Sequence, residues 1–264
     1  MKTQKTLAAA IGAVLGLSAL QAAMAADGSP TTVINVYPEG APAAAEAPAA
    51  EAAEGDHSFS ANVAIVSNYV FRGISQTDKG PAIQGGFDYT YNPLNLYVGT
   101  WASNVSSDGY NGASMELDVY AGWRPTFDNL TLDIGALGYL YPGNDGGDIN
   151  TVEYKAGLSY DFGVVAPGAF VYYSDDWYNT GDAWRYELSA AVPLPWEMKL
   201  VAKYGWNEFD TLIDYQDWSI GVTKDVLGVT LGLSYADSDL DSDTECGAPF
   251  QCDGQVVFSV SKAF

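Results

Sequence analysis

Basic residues are scarce in this chain of 264 residues, which has 11 lysines and arginines against 33 aspartates and glutamates. The formal net charge of −22 disfavours nucleic acids and anionic lipid surfaces as partners, because both would be repelled, and it favours cations. The only histidine is His57, so the usual general base of a hydrolase is missing elsewhere. No glycine-rich phosphate loop and no His/Cys metal motif is present. We therefore predict a protein that is not an enzyme and has no cofactor.

Long apolar runs are missing after the N-terminus, where no stretch approaches the ~18 apolar residues of a membrane-spanning helix. Residues 1–25 themselves predict an export signal, with Lys2 and Lys5 before an apolar segment and Ala23-Met24-Ala25 as a small-residue cleavage site. Residues 26–57 are an Ala/Pro/Glu repetition almost free of groups that could form a core. They predict a disordered linker before the domain at 58–264.

What the chain has instead is a repeated alternation of apolar and polar residues. Residues 115–123 and 196–206 are two of about twelve such segments after residue 58. A period of two with aromatic residues near the segment ends suits strands whose outer face meets lipid. We predict an all-β fold, a transmembrane antiparallel up-and-down β-barrel of about 12 strands. The tryptophans expected in its interfacial girdle are Trp101, Trp123, Trp184, Trp196, Trp206 and Trp218.

The connections between these segments alternate in length. Short ones such as 193–195 alternate with long polar ones such as 237–254, as expected for periplasmic turns and external loops of a bacterial outer-membrane barrel. An even strand count then places both ends of the barrel, and the linker, in the periplasm. The chain ends on Phe264, which resembles the signal read by the barrel-assembly machinery. Outer-membrane lipid and lipopolysaccharide are the remaining expected partners.

Ionisable residues recur at the inward positions of the predicted strands. One interpretation is an acidic, mildly cation-favouring pore lining. The other is an internal network of salt bridges that fills a narrow barrel, and the pattern does not decide between them. The candidates are Asp88, Glu116, Asp118, Asp133, Glu153, Asp161, Glu187, Glu197 and Asp217 among the acids, and Lys155, Arg185, Lys199 and Lys203 among the bases.

The long connections hold about 16 acids and only Arg72 and Lys79 as bases. Clustered carboxylates can bind calcium or magnesium, but the densest run lacks the glycine and spacing of an EF-hand loop. Solvated charge, or divalent cations bridging to lipopolysaccharide phosphates, is the simpler interpretation. The weak candidates for metal ligands are Asp237, Asp239, Asp241, Asp243 and Glu245.

Two further features lie in these connections. Cys246 and Cys252 are six residues apart in an exported chain, which predicts a local disulfide in the last external loop. Arg72 and Gly73 end the first predicted strand. We interpret them as an interfacial arginine beside a turn glycine, in preference to an arginine at a pore constriction.

A family resemblance is carried by SANVAIVSNYVFRGISQTDKGPAIQGGFDYTY at 60–91, LYVGTWASNV at 96–105 and MELDVYAGW at 115–123. These stretches resemble the proteobacterial outer-membrane family Gcw_chp, and the likeness extends over about 58–264. The resemblance implies a Gram-negative outer membrane and a barrel. It implies no catalytic residues and no substrate, since the family is defined by sequence.

The favoured function is therefore a narrow, porin-like channel for small solutes, with cations as the better candidates. The alternative is a non-conducting surface barrel that binds lipopolysaccharide, divalent cations or a partner protein. Single-channel conductance separates the two.

Overall fold

The computed structural model describes residues 55–147, 149–246 and 251–264. The predicted signal peptide at 1–25, and the predicted linker as far as residue 54, lie outside the described residues. No helix in the described part is long and apolar enough to cross a membrane. The strands are β1 (His57–Val66), β2 (Val70–Phe71), β3 (Ile74–Ser75), β4 (Ala82–Tyr91), β5 (Leu96–Asn104), β6 (Met115–Trp123), β7 (Thr126–Phe127), β8 (Leu130–Leu140), β9 (Thr151–Tyr160), β10 (Ala166–Ser174), β11 (Ala183–Leu194), β12 (Met198–Phe209), β13 (Tyr215–Val226), β14 (Val229–Ser238) and β15 (Gln255–Ala263).

The twelve long strands form a closed antiparallel ring. Each pairs with its neighbours in sequence, β6 pairs with β8, and β1 pairs with β15 to close the seam. At that seam Phe264 N donates to Ala61 O at 2.9 Å, and Ala61 N donates to Phe264 O at 3.1 Å. A closed ring leaves no sheet edge, which is the condition for a sheet to span lipid. The predicted barrel of about 12 strands is confirmed.

The two faces of the wall differ as the period-two pattern predicts. Apolar side chains such as Ile65, Phe87 and Phe258 point outward, and Phe87 is 70% exposed. Polar side chains such as Ser103 and Asp118 point inward and are buried. An exposed apolar band around a polar interior is what a bilayer requires of a β-barrel.

Both ends of the barrel chain lie at one rim. This rim, the short-turn end, also carries the connections 92–95, 124–129, 161–165, 195–197 and 227–228. The opposite rim, the long-loop end, carries 67–81, 105–114, the described parts of the connection after β8 (141–147 and 149–150), 175–182, 210–214 and the described parts of the connection after β14 (239–246 and 251–254). The described residues thus alternate between short and long connections around the ring.

Three predicted details are wrong. Trp101 is not in a girdle, because it points inward on β5 and is buried. Trp196 does not begin a strand, since β11 and β12 pair up to Leu194 and Met198 and leave only a turn between them. The first strand ends at Val66, well before Phe71, because the chain then leaves the wall and enters the lumen as the short hairpin β2–β3.

Phe264 generates a prediction about assembly. Deleting it removes the two backbone hydrogen bonds to Ala61 and an exposed aromatic ring. We therefore expect a smaller fraction of folded, heat-modifiable barrel in detergent gels. The control Phe264→Ala keeps the backbone hydrogen bonds and tests the ring alone. Normal amounts of folded barrel from the deletion variant would show that the terminal residue is dispensable.

Candidate functional site in the barrel lumen

A segment of the first long connection crosses the lumen at its long-loop end. This inner hairpin, residues 67–81, contains β2 and β3. On one side of the ring, Arg72 Nη2 donates to Glu153 Oε1 at 2.7 Å and to Oε2 at 2.9 Å on β9. On the nearly opposite side, Gly73 packs so closely on β14 that a Cβ there would lie 2.7 Å from Asp237 O. Only glycine fits this approach, and its φ of +81° also favours glycine.

Arg72 is the central group of the hairpin and is 6% exposed. Its guanidinium lies 4.8 Å from the ring centroid of Phe71 and 4.8 Å from that of Trp177, so it is bound by cation–π contacts as well as by the carboxylate. A buried charge needs such compensation. The interpretation of Arg72 as an interfacial arginine is therefore wrong, because the residue lies inside the barrel.

Tyrosines and carboxylates fill the space around the hairpin. Tyr69 OH and Tyr141 OH donate to the two oxygens of Glu116 at 2.8 and 2.9 Å, and Tyr139 OH donates to Glu153 at 3.1 Å. Aromatic rings pack on each other here, both edge-on, as for Tyr69 and Trp101 with centroids 5.5 Å apart, and stacked, as for Tyr110 and Tyr141 with centroids 4.4 Å apart. This half of the lumen is a packed core.

Asp118 differs from its neighbours. It is 0% exposed, and neither carboxylate oxygen lies within hydrogen-bonding distance of a donor among the described residues. It lies two residues from Glu116 on the same inner face of β6. A buried carboxylate without donors is costly to keep ionised.

A second cluster lies on the wall of β11 to β13. Arg185 donates to Asn207 Oδ1 at 2.9 Å and to Glu187 Oε2 at 3.0 Å, and it also pairs with Asp217. The guanidinium lies against the backbone of Gly205, where no side chain stands in its way. Its positive charge is thus shared between two inward acids.

A third cluster lies near the short-turn end. Asp133 accepts from Lys155 Nζ at 2.8 Å, from Arg124 Nε at 3.1 Å and from Tyr97 OH at 2.8 Å. Asp88 accepts from Tyr120 OH at 2.7 Å. Arg124 is absent from the predicted set because it follows the strand end at Trp123, although its side chain reaches back into the lumen.

Of the four predicted lumen residues that remain, two lie on the inner wall and two do not. Lys203 lies on the inner face of β12, 3.7 Å from Glu187, with its side chain 30% exposed, and Lys199 precedes it on the same face. Asp161 and Glu197 lie in short-turn connections beyond the strand ends and line no part of the wall. Asp161 was assigned to a strand that ends earlier than predicted, at Tyr160, and Glu197 to one that begins later, at Met198.

The other half of the lumen contains a cavity. A cavity of about 150 Å³ runs beneath the inner hairpin along β12 to β15, from Gly73 towards Thr223 near the short-turn end. Lys203, Arg185 and Asp217 also line it. Most inner positions on this wall carry small residues, and those that line the cavity are Ser219, Gly221, Thr223, Gly232, Ser234, Ala236 and Ser259.

The acidic run at the long-loop end is held by local hydrogen bonds. Asp241 Oδ1 accepts from Thr244 Oγ1 at 2.8 Å and from the backbone N of Asp243 at 3.1 Å. These hydrogen bonds keep the pKa of Asp241 below its usual range, and the one from the Thr244 side chain has the largest effect. Asp237 accepts from Tyr235 OH and Asp239 from Gln216 N. No three His, Cys, Asp or Glu side chains in the described ranges are grouped as metal ligands.

The predicted disulfide joins Cys246 and Cys252 in this last long connection. Cys252 is buried, and its carbonyl accepts from Ser238 Oγ at 3.4 Å.

The contrast between Asp118 and Glu153 gives a stability prediction. Glu153→Gln breaks a buried ion pair and leaves Arg72 uncompensated, so we expect the free energy of unfolding to fall by about 3 kcal/mol. Asp118→Asn removes a buried charge that has no donor, so we expect no loss or a gain. Urea unfolding of barrels in lipid vesicles measures both. An equal loss for Asp118→Asn would mean that its carboxylate has a partner in the folded protein.

The fold resembles that of porins of known structure. The KdgM porin in complex with disordered oligogalacturonate aligns with a TM-score of 0.55 at 6% identity, over 78% of this chain and 99% of that chain. The NanC porin aligns with a TM-score of 0.51 at 8% identity, over 78% and 98%. At such identities the likeness shows a shared fold. No curated protein matches the chain.

The family comparison agrees with the resemblance noted above. The Gcw_chp model, whose description is a bacterial protein of unknown function, matches residues 49–264. The match includes the inner hairpin and all twelve long strands. The chain therefore belongs to the Gcw_chp family of bacterial proteins.

Proposed function

We propose that this barrel is an outer-membrane channel for small solutes, with a preference for cations. The observation that carries the proposal is the cavity along β12 to β15, where small residues on successive strands leave the wall uncovered. Barrels of this size lie between those filled by side chains and those with a wide aqueous pore. In this proposal residues 1–25 direct export, residues 26–57 extend into the periplasm, and the long loops face outward.

The paired charges of the lumen argue that selectivity does not arise there. Arg185 is balanced by Glu187 and Asp217, and Asp133 by Lys155 and Arg124. Paired groups of opposite sign produce little net field along the passage.

The long-loop end supplies the net charge instead. Its bases are Arg72, which is buried against Glu153, and Lys79, whose Nζ lies 3.0 Å from Asp253. The acids therefore greatly outnumber the bases at this rim. A mouth lined by one sign of charge concentrates counter-ions, so cations are enriched at the entrance.

This proposal predicts the outcome of planar-bilayer recordings. We expect small, steady conductances with a reversal potential that favours cations at about 0.1 M salt, and a weaker preference at about 1 M, because the screening length falls from about 10 Å to about 3 Å. Neutralising four exposed acids on three loops, Asp175, Asp176, Asp210 and Asp243, to Asn should reduce the preference.

A matched control separates the mouth from the lumen. The double variant Glu116→Gln/Asp118→Asn removes two acids that lie in the packed half, so the cation preference should stay close to that of the unmodified protein. If this variant loses the preference and the loop variant keeps it, the selectivity resides in the lumen and the proposed origin is wrong.

A second function is favoured by the inner hairpin, which crosses the lumen between β9 and β14. If the hairpin closes the passage permanently, the barrel is a non-conducting surface protein, and its acidic loops would bind divalent cations that bridge to lipopolysaccharide or contact a partner protein. Absence of conductance from correctly folded, heat-modifiable protein would favour this function over the channel. Recovery as a soluble periplasmic protein would exclude both.

A further inference from the structure

The inner hairpin is attached to the last long connection by a buried set of amide and hydroxyl groups. Ser75 N donates to Gln251 O at 2.9 Å, and Gln255 Nε2 donates to the same oxygen at 2.9 Å. Asn68 Nδ2 donates to Gln255 Oε1, and Ser75 Oγ donates to Asn68 Oδ1 at 2.7 Å. We call these four residues, Asn68, Ser75, Gln251 and Gln255, the amide latch.

The latch is well shielded from water. Ser75 is 0% exposed, and Asn68 and Gln255 are also buried. Buried hydrogen bonds strengthen one another when the whole network is formed. A buried polar group that loses its partner lowers the stability of the folded state. The latch therefore favours two discrete states, one fully made and one fully open.

Gln251 is the latch member that belongs to the last long connection. It precedes β15 and is directly followed by Cys252, whose sulfur is bonded to Cys246. The bond closes a ring with a sequence separation of 6, which restricts the conformations open to Gln251 before it meets Ser75. Without the bond, the position of Gln251 would depend on non-covalent contacts alone.

We propose that the amide latch keeps the inner hairpin inside the lumen, and that the Cys246–Cys252 bond sets how often the latch opens. Opening releases the hairpin from the long-loop end while the ring of twelve strands stays closed, because the seam between β1 and β15 lies outside the latch. The exposed ion pair between Lys79 and Asp253 adds little to the closed state. The conductance effect rests on the proposed channel; the movement of the hairpin does not.

Trypsin cleavage between Arg72 and Gly73 reports this movement without any reference to conductance. Lys79→Ala is the parent variant, because it removes the exposed tryptic site in the hairpin and tests the exposed ion pair. In this parent, Arg72 should remain protected, since it is buried. Adding Cys246→Ser/Cys252→Ser should increase the rate of cleavage after Arg72 by about tenfold or more, because cleavage follows the population of the open form.

A replacement bond tests whether the tether is what matters. Ser75 and Gln251 form an isolated antiparallel bridge, a geometry within reach of a disulfide. The pair Ser75→Cys/Gln251→Cys is introduced into the chain that already carries Lys79→Ala, Cys246→Ser and Cys252→Ser. Oxidation of the new thiols should restore the protection of Arg72, and addition of a dithiol should abolish it. Heat-modifiable migration of every variant confirms that the ring is folded.

The possible results are distinct. Equal cleavage after Arg72 with and without the native cysteines would overturn the latch, whatever the conductance. Faster cleavage in a barrel that never conducts would support the latch and count against the channel. Faster cleavage together with larger or more frequent openings in bilayer recordings would support both.

Discussion

The packed half of this barrel's lumen is organised around the buried positive charge of Arg72. Because Arg72 is buried, its guanidinium requires a carboxylate and aromatic faces around it. Glu153 supplies the carboxylate, and Phe71, Tyr172 and Trp177 supply the faces. Because Arg72 belongs to a connection and Glu153 to the wall, meeting this requirement draws residues 67–81 across the lumen.

The hairpin in turn explains why the two halves of the lumen differ. On β5 to β10 many inner positions are large or charged, among them Trp101, Asp118, Tyr139 and Tyr172, and these surround Tyr69 and Arg72. On β13 to β15 most inner positions are small, so the same hairpin leaves a cavity beneath it. A channel through this molecule would thus have one wall of packed side chains and one of exposed backbone, hydroxyls and glycines. The arginines that line the cavity are paired with acids, whereas acids greatly outnumber bases at the mouth.

Much of this could be predicted from the sequence, because a strand wall in lipid enforces a period of two. That period identified the twelve strands and the inward acids of β6, β9 and β11. The ion pairs could not be predicted, since Arg72 and Glu153 are 81 residues apart and only the closed ring brings them together. The hairpin leaves no clear signal in the sequence: Tyr69, Val70 and Phe71 are three successive apolar residues, but the wall strand β10 carries such a run as well, from Ala169 to Tyr173.

Closure of the ring and docking of the hairpin are coupled through the chain's last strand. β15 pairs with β1 at the seam, and Gln255 at its start accepts from Asn68 of the hairpin. The other anchors, Glu153 and the backbone of Asp237, also follow the hairpin by a long stretch of chain. The hairpin therefore has no complete binding surface until the final strand is in place. A segment buried only by long-range contacts has less local support than the wall, whose every strand is hydrogen-bonded on both sides. That difference allows the hairpin to move while the barrel remains intact.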